Sequence, residues 1–297
     1  MRVGTASIYA GIQLRLQRLA ADLKSLNEKA ASGKNLNRPS DDPVALVEAM
    51  EFKTATRQMD QYGRNLNTAS SWFTASESAL SQTLDLVERA REIAVQMNSS
   101  TQDAANRDSA AAEVGDLLDQ AISLGNTELS GRYIFSGFET GTAPFTKTVV
   151  GGVETAQYNG DTNDFRVQVG KDENLTAGRN GQTVFMDSAI FSTLGALKKA
   201  LEDNDPSGIG TQLENLTSVE DYLNKQIADI GVRQNQAQVR ENILSQLQIE
   251  LKDQLSRVED ADIAEVMIQL NAKQLTYQAA LAAASRVSEM SLLNYMD

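Results

Sequence analysis

Asp203, Asp205, Ser207 and Glu214 stand at positions 1, 3, 5 and 12 of the run Asp203–Glu214, with Gly208 at position 6. Oxygen ligands at that spacing between two helical stretches are the pattern of a calcium-binding helix–loop–helix. Pro206 at position 4 and Gly210 at position 8, where an apolar side chain is usual, depart from it. A plain turn rich in Asp, Asn, Pro and Gly accounts for the same letters. The four oxygens stand as a calcium candidate beside that turn reading, and no other metal site is expected.

Little other chemistry is open to these side chains. The 297 residues contain no Cys and no His, which excludes thiolate nucleophiles, disulfides, Cys/His zinc sites, histidine-ligated haem and Ser-His-Asp triads. The carboxylates show no pairing suited to acid–base catalysis. Asp41 and Asp42 lie in a turn where helix capping accounts for both. The glycines from Gly131 to Gly141 are too irregular for a phosphate loop, and no Gly-Lys-Ser/Thr follows them. Asn98, Asn174 and Asn215 open glycosylation triplets, a motif short enough to arise by chance. Trp72, beside Phe73, reads as a packing or interface anchor. No catalytic residue and no cofactor are expected.

Charge and hydropathy narrow the partners. There are 27 basic and 40 acidic residues, a net charge of −13 that repels nucleic acid. No stretch reaches the roughly 18 apolar residues of a membrane helix, so no membrane insertion is expected. Met1 to Ile8 lead to charges at Arg15 and Arg18 without an apolar run, and are not read as a cleaved secretory signal. Taken alone, this points to a soluble cytoplasmic chain.

The elements that would position any site are mostly helices. Ile12, Leu16, Leu19, Leu23, Leu26 and Ala30 follow steps of 4, 3, 4, 3 and 4, the pattern of one helix face packed on another helix. Gly33 stops that helix, Asn35–Asp42 is a connector, and Asp42-Pro43 suits an N-cap followed by a first-turn proline. From Pro43 to Asn98 the pattern predicts one very long helix or two closely joined ones, and residues 103–129 another. Glycines then become frequent. Strands are predicted at Thr146–Val150, Glu154–Tyr158 and Phe165–Val169, punctuated by Gly151-Gly152, Asn159-Gly160 and Asn180-Gly181. Helix resumes near Ser188, and a loop at Asp203–Gly210 precedes a very long helix. Its heptad positions include Ile227, Ile230, Gln234, Ala237, Glu241 and Leu244, polar enough to predict loose packing or a place in a multi-helix bundle. After a skip at Ala261-Asp262, Ile263, Val266, Leu270, Tyr277, Leu281 and Ala284 define the last helix.

The expected fold is mainly α: a long coiled-coil-like bundle of N- and C-terminal segments with a small β domain inserted between them. Residues 1–38 carry seven basic and two acidic side chains, so a basic arm accompanies an acidic body. That arrangement suits contacts between subunits as well as within one, although a solvated helical face explains it equally.

The run Ser32-Gly33-Lys34-Asn35-Leu36-Asn37-Arg38-Pro39-Ser40-Asp41-Asp42-Pro43 resembles the N-terminal motif of the bacterial flagellin superfamily. Leu19, Leu23 and Leu26 upstream are similar to its heptad. Downstream, Gln61-Tyr62 and Asn65 resemble its Q-Y-x-x-N segment, and Leu80, Arg89-Ala90, Ile93-Ala94 and Asn106-Arg107 continue the likeness. At the other end Asp262–Glu265 and Leu270 resemble the start of its terminal helix and Leu292-Leu293 its end. Asn126-Thr127, then Gly131, Arg132, Tyr133, Ile134, Phe135, Ser136 and Gly137, resemble a signature of the hook–filament junction members of that superfamily. Gln157–Asp161 and Ile263–Leu270 resemble them too. The chain runs on after its last leucine pair as Asn294-Tyr295-Met296-Asp297, where flagellins usually end in a basic residue.

The resemblance implies a structural subunit without turnover, at the junction between a hook-associated ring and the filament. It implies residues 1–38 and 263–297 as a terminal helical, inner assembly domain. Residues 43–139 and 188–262 would form a long-helix bundle, and 140–187 an outer β domain. Implied partners are further copies in a ring or tube, hook-associated protein 1, flagellin, an export chaperone and the type III export apparatus. The implied location is the extracellular flagellum, reached without a cleaved signal peptide. Ile12, Leu16, Leu19, Leu23, Leu26, Ile263, Leu270, Tyr277 and Leu281 are expected to form the assembly interface, partly exposed and loosely held in a lone subunit. Gly33, Asn37, Arg38, Pro39, Ser40, Asp41, Asp42 and Pro43 are expected to form a joint between domains. Two other readings stand beside this one. A flagellin, the bulk filament subunit, shares the fold. A non-flagellar coiled-coil scaffold accounts for the heptads but not for the Ser32–Pro43 motif or the β insertion.

Overall fold

The computed structural model describes residues 5–99 and 102–296, with side chains described over 10–99 and 102–286. Readings made on Met1–Gly4, on the side chain of Ile8 and on those of Leu292 and Leu293 lie outside the described residues. Helix α1 (Thr5–Ser32) ends where Gly33 was expected to stop it. Gly33 takes φ of 71°, and its N–H donates to the Lys29 carbonyl at 2.9 Å. This left-handed closure favours a residue without Cβ. Helix α2 (Pro43–Met97) is a single helix of 55 residues. The Asp42 carboxylate accepts from the Val44 and Ala45 N–H groups at 3.0 Å each, the expected cap.

Helix α3 (Ala104–Gly125) begins at an Asp103 cap that accepts from the Asn106 N–H. It stops short of the predicted end at 129, because Glu128–Leu129 (β1) pair instead with Arg132–Tyr133 (β2). The predicted strands are present as β3 (Phe145–Val150), β4 (Val153–Tyr158) and β5 (Phe165–Gly170). Val167 and Val169 are buried between exposed Arg166 and Gln168, as the alternation requires. A further strand, β6 (Glu173–Gly178), was not anticipated; only Leu175 and Ala177 give it an apolar face.

The β segment is not one sheet but three separate antiparallel pairs, β1–β2, β3–β4 and β5–β6. Gly151-Gly152, with φ of 60° and 80°, makes the tight β3–β4 turn. The two Asn-Gly pairs, Asn159-Gly160 and Asn180-Gly181, make no hairpin turn, since their polar groups bind elsewhere. The Asn159 N–H donates to the Pro144 carbonyl at 2.7 Å, and the Asn180 side-chain amide donates to Thr162 and Asp164. The β5–β6 turn is Lys171-Asp172.

Helices α4 (Ile190–Glu202), α5 (Pro206–Glu259) and α6 (Ile263–Met296) complete the chain. Only Asp203–Asp205 connect α4 to α5, so the loop predicted to run to Gly210 is shorter than expected. The Asp205 carboxylate accepts from the Ser207 N–H at 3.0 Å and caps α5, with Pro206 as its first residue. Ser207 and Glu214 are thus helical, Glu214 more than two turns along, and the twelve-residue calcium loop does not form. Asp203 is instead paired with Lys199 at 2.9 Å. Among the described residues no cluster of three or more carboxylates is placed to hold a metal ion, and no helix is long and apolar enough to cross a membrane.

The chain divides into two compact units, residues 59–246 and residues 1–58 with 247–297. The first has a continuous core in which Leu66, Phe73, Leu80 and Val87 of α2 join Val114 and Leu118 of α3, Leu194 and Leu197 of α4, and the hairpins. From α5 come Leu216, Val219, Leu223, Ile230, Ala237 and Leu244, a seven-residue repeat. Gln234 on that face donates to Glu77 at 2.8 Å, which explains a polar group at a packed position. Glu241, predicted on the same stripe, is exposed. The hairpin segment 140–187 lies in this unit. Phe145, Phe185 and Phe191 form an aromatic cluster there, with ring centroids 5.1 to 5.7 Å apart.

Candidate assembly surface and the turn that anchors it

The Ser32–Pro43 turn is held by its own polar residues. One Asp41 oxygen accepts from the Asn37 N–H at 3.1 Å and the Arg38 N–H at 2.9 Å, and the Asp41 N–H donates back to the Arg38 carbonyl. The Asn37 side-chain amide donates to the Lys34 carbonyl at 3.1 Å. The Arg38 guanidinium reaches both Glu28 oxygens on α1, at 2.7 and 2.9 Å. Leu36 is the turn's buried apolar residue. Pro39 and Ser40 are exposed, with no side-chain role evident.

The same turn is fastened to the α5–α6 corner. The Asn35 N–H donates to the Glu259 carbonyl at 2.7 Å, and the Ala261 N–H to the Gly33 carbonyl at 2.9 Å, around an isolated Lys34–Asp260 bridge. Proline at position 33 can neither take φ of 71° nor donate to Lys29. Gly33→Pro is therefore expected to cost on the order of 3 kcal/mol locally. Hydrogen–deuterium exchange should read it as lost protection at Asn35 and Ala261, with residues 59–246 unchanged.

From this anchor α1 and α6 run side by side. Lys273 pairs with Asp22 at 2.7 Å, about as far along α6 from the corner as Asp22 lies back along α1, so the helices are antiparallel. The structure places the predicted stripe along this seam. Ile12, Leu16, Leu19, Leu23 and Leu26 are all half-buried and Leu270 is buried. Tyr277 is half-buried and lines a groove with Leu23 and Ala20, while Ile263 and Leu281 are exposed. The pairing leaves apolar residues outside the seam uncovered. Ile268 and Leu275 on α6 are about 70% exposed, at 71% and 69%. Val44, Val47 and Met50 on the first turns of α2 are also exposed. Reading only heptad positions missed these five residues; their apolar type in polar surroundings was the available signal.

The Gly131–Gly137 signature lies elsewhere, in the 59–246 unit, and is a packing hub rather than a surface. Gly131 and Gly137 take φ of 76° and 72°, and a Cβ at Gly137 would collide with the Asp161 carboxylate. Phe135 is buried, and its carbonyl accepts from the Gly181 N–H at 2.6 Å and lies 3.0 Å from the Tyr158 hydroxyl. The same hydroxyl lies 2.7 Å from the Asp161 carbonyl. Burial pushes the Tyr158 phenol up to about 12, so it remains a neutral donor. Tyr133 donates its N–H to the Thr140 carbonyl at 3.0 Å, and Arg132 is exposed. Trp72 stacks on Phe165 with centroids 4.5 Å apart and donates to the Ile134 carbonyl at 3.3 Å, a packing role. Arg107 is buried and donates to the Met97 and Ser99 carbonyls at 3.0 Å each, tying the end of α2 to α3.

The chain matches the family model of the bacterial flagellin N-terminal helical region over residues 3–140 and that of the C-terminal helical region over residues 211–296. Flagellar hook-associated protein 3 of Escherichia coli K12 is 25% identical, covering 94% of this chain and 96% of its own length. Flagellin FlaB1 of Treponema pallidum is 26% identical over 91% and 90% of the two chains. The solved structure of the flagellar junction protein FlgL from Legionella pneumophila shares the fold. Its TM-score is 0.57 at 17% identity, covering 73% of this chain and 100% of that one. The two flagellin family matches together take in well over half of the sequence, including α1, α2, α3 and α6 and most of α5, and this chain belongs to the bacterial flagellin family.

Proposed function

We propose that this chain is the structural subunit that joins the hook-associated ring to the filament of a bacterial flagellum. One observation carries the reading. Hook-associated protein 3 of Escherichia coli aligns over nearly the whole of both chains, 94% of this one and 96% of its own length. On this reading the antiparallel α1–α6 pair is the inner assembly element, and its stripe from Ile12 to Leu26 with Ile263, Leu270, Tyr277 and Leu281 completes its burial between copies. The Gly33–Pro43 turn is the joint that leads from it to α2, and the hairpins at 140–187 face outward. A heterologous contact repeated by a screw operation builds a tube or ring. Hook-associated protein 1, flagellin, an export chaperone and the type III export apparatus are its partners. The subunit is exported to the flagellum and turns over no substrate.

The flagellin reading is favoured by the match to FlaB1, which is as similar in identity and almost as complete. Immunogold electron microscopy of flagella with antibody against residues 140–187 separates the two. Gold confined to the band between hook and filament is expected. Gold along the whole filament would make the chain a bulk filament subunit.

A further inference from the structure

Glu259, the last residue of α5, is 5% exposed. Its Oε1 lies 2.7 Å from Lys34 Nζ on the turn and 2.7 Å from Lys53 Nζ on α2. One oxygen therefore holds two ammonium groups within a few ångström of each other. The charge is arranged so that its loss both removes an attraction and exposes a repulsion. The backbone contacts it adjoins, Asn35 to Glu259 and Ala261 to Gly33, are those that fasten the turn to the α5–α6 corner. From this geometry we propose that Glu259 is the positioning residue of the terminal helix pair: an ionised carboxylate that locks the base of α1 and α6 for assembly, and a neutral one that releases it. The role in assembly rests on the reading above; the lock itself does not.

Three further charged groups near the corner are engaged elsewhere. Asp260 accepts from Ser256 at 2.6 Å, Asp262 caps α6 through the Ala264 and Glu265 N–H groups, and Arg57 donates to the Lys53 carbonyl and Thr54. Burial pushes the Glu259 carboxyl up, but its hydrogen bonds to Lys34 and Lys53 outweigh this and hold it below the usual carboxylate range. A folded-state value below the unfolded one means the lock is complete at neutral pH. It is lost as pH falls through the folded value, under the ordinary carboxylate value of about 4.3.

The test is amide exchange at Asn35 and Ala261 in the monomer, corrected for intrinsic rates, from about pH 7 to about pH 3. The native protein is expected to lose about tenfold or more in protection on acidification, while Val114 and Leu118 keep theirs. Glu259→Gln should be open already at neutral pH and change little below it. The double variant Lys34→Met with Lys53→Met strands the carboxylate, so its protection should rise as pH falls. That inverted slope separates a charge lock from a merely structural contact. Native-like protection in Glu259→Gln at neutral pH, or the same slope in the double variant as in the native chain, overturns the lock. Normal incorporation of an open Glu259→Gln subunit into flagella overturns its role in assembly. Gold along the filament, by contrast, would change only the identity of the assembly.

Discussion

Replacing Leu23 and Leu26 together by Asp is expected to abolish incorporation of the subunit into flagella while leaving the thermal unfolding of residues 59–246 unchanged. Both leucines are half-buried on the α1 face that meets α6, and Leu23 lines the groove that also contains Tyr277. Two carboxylates there would have to stay solvated, which an isolated helix pair permits and a closed interface does not. Their like charge would add to Asp22 one residue before Leu23, while the pairing of Asp22 with Lys273 offsets only one of the three. The measurements are motility and electron microscopy of a deletion strain carrying the variant, with calorimetry of the purified monomer. A loss of assembled subunit of about tenfold or more is expected, the scale on which unpaired charges exclude a wrong partner. Normal flagella would show that the α1 seam is not an interface between copies.

Phe145→Ala is expected to carry the largest stability effect, about 3–5 kcal/mol, the range for removing a fully buried aromatic ring. Phe145 is 2% exposed, and its ring lies 5.3 Å from Tyr158 and Phe185 and 5.1 Å from Phe191, centroid to centroid. It also fills the space beside Gly125 and Gly181, where a Cβ would meet the ring at 2.7 and 2.6 Å. The Phe145 N–H and carbonyl are both bonded to the Asn126 side chain at 2.9 Å, so the strand cannot readily shift to close the cavity. For a unit of this size the loss should appear as roughly 6–20 °C in the melting temperature. Phe145→Leu, which keeps most of the volume, should cost clearly less. A change below about 1 kcal/mol for the alanine variant would mean that the hairpins do not share the helical core.

The helices were legible because their signals are local. The α1 steps, Gly33, the Asp42-Pro43 cap and the break at Ala261-Asp262 each act within one or two turns, and each is found where its residues place it. The Gly151-Gly152 turn was legible for the same reason, since two glycines take φ of 60° and 80° in succession without steric cost. The identical reasoning failed at Asn159-Gly160 and Asn180-Gly181, where distant carbonyls and carboxylates claim the same polar groups. It failed again at Asp203–Glu214, where Asp205-Pro206 starts a helix that removes two of the four candidate ligands from any loop.

The candidate site divides along the same line. The sequence by itself determined the stripe from Ile12 to Leu26 and the polar letters of the Ser32–Pro43 turn, because heptad spacing and short-range capping need no partner. Only the tertiary structure decided that Glu259 sits against Lys34, 225 positions away, and Lys53, 206 positions away. It also decided that Phe135 and Tyr158 meet and that Ile268, Leu275 and the start of α2 are left uncovered. Contacts between residues so far apart depend on how helices pack, and packing is set by the sum of many apolar faces rather than by any one residue's neighbours.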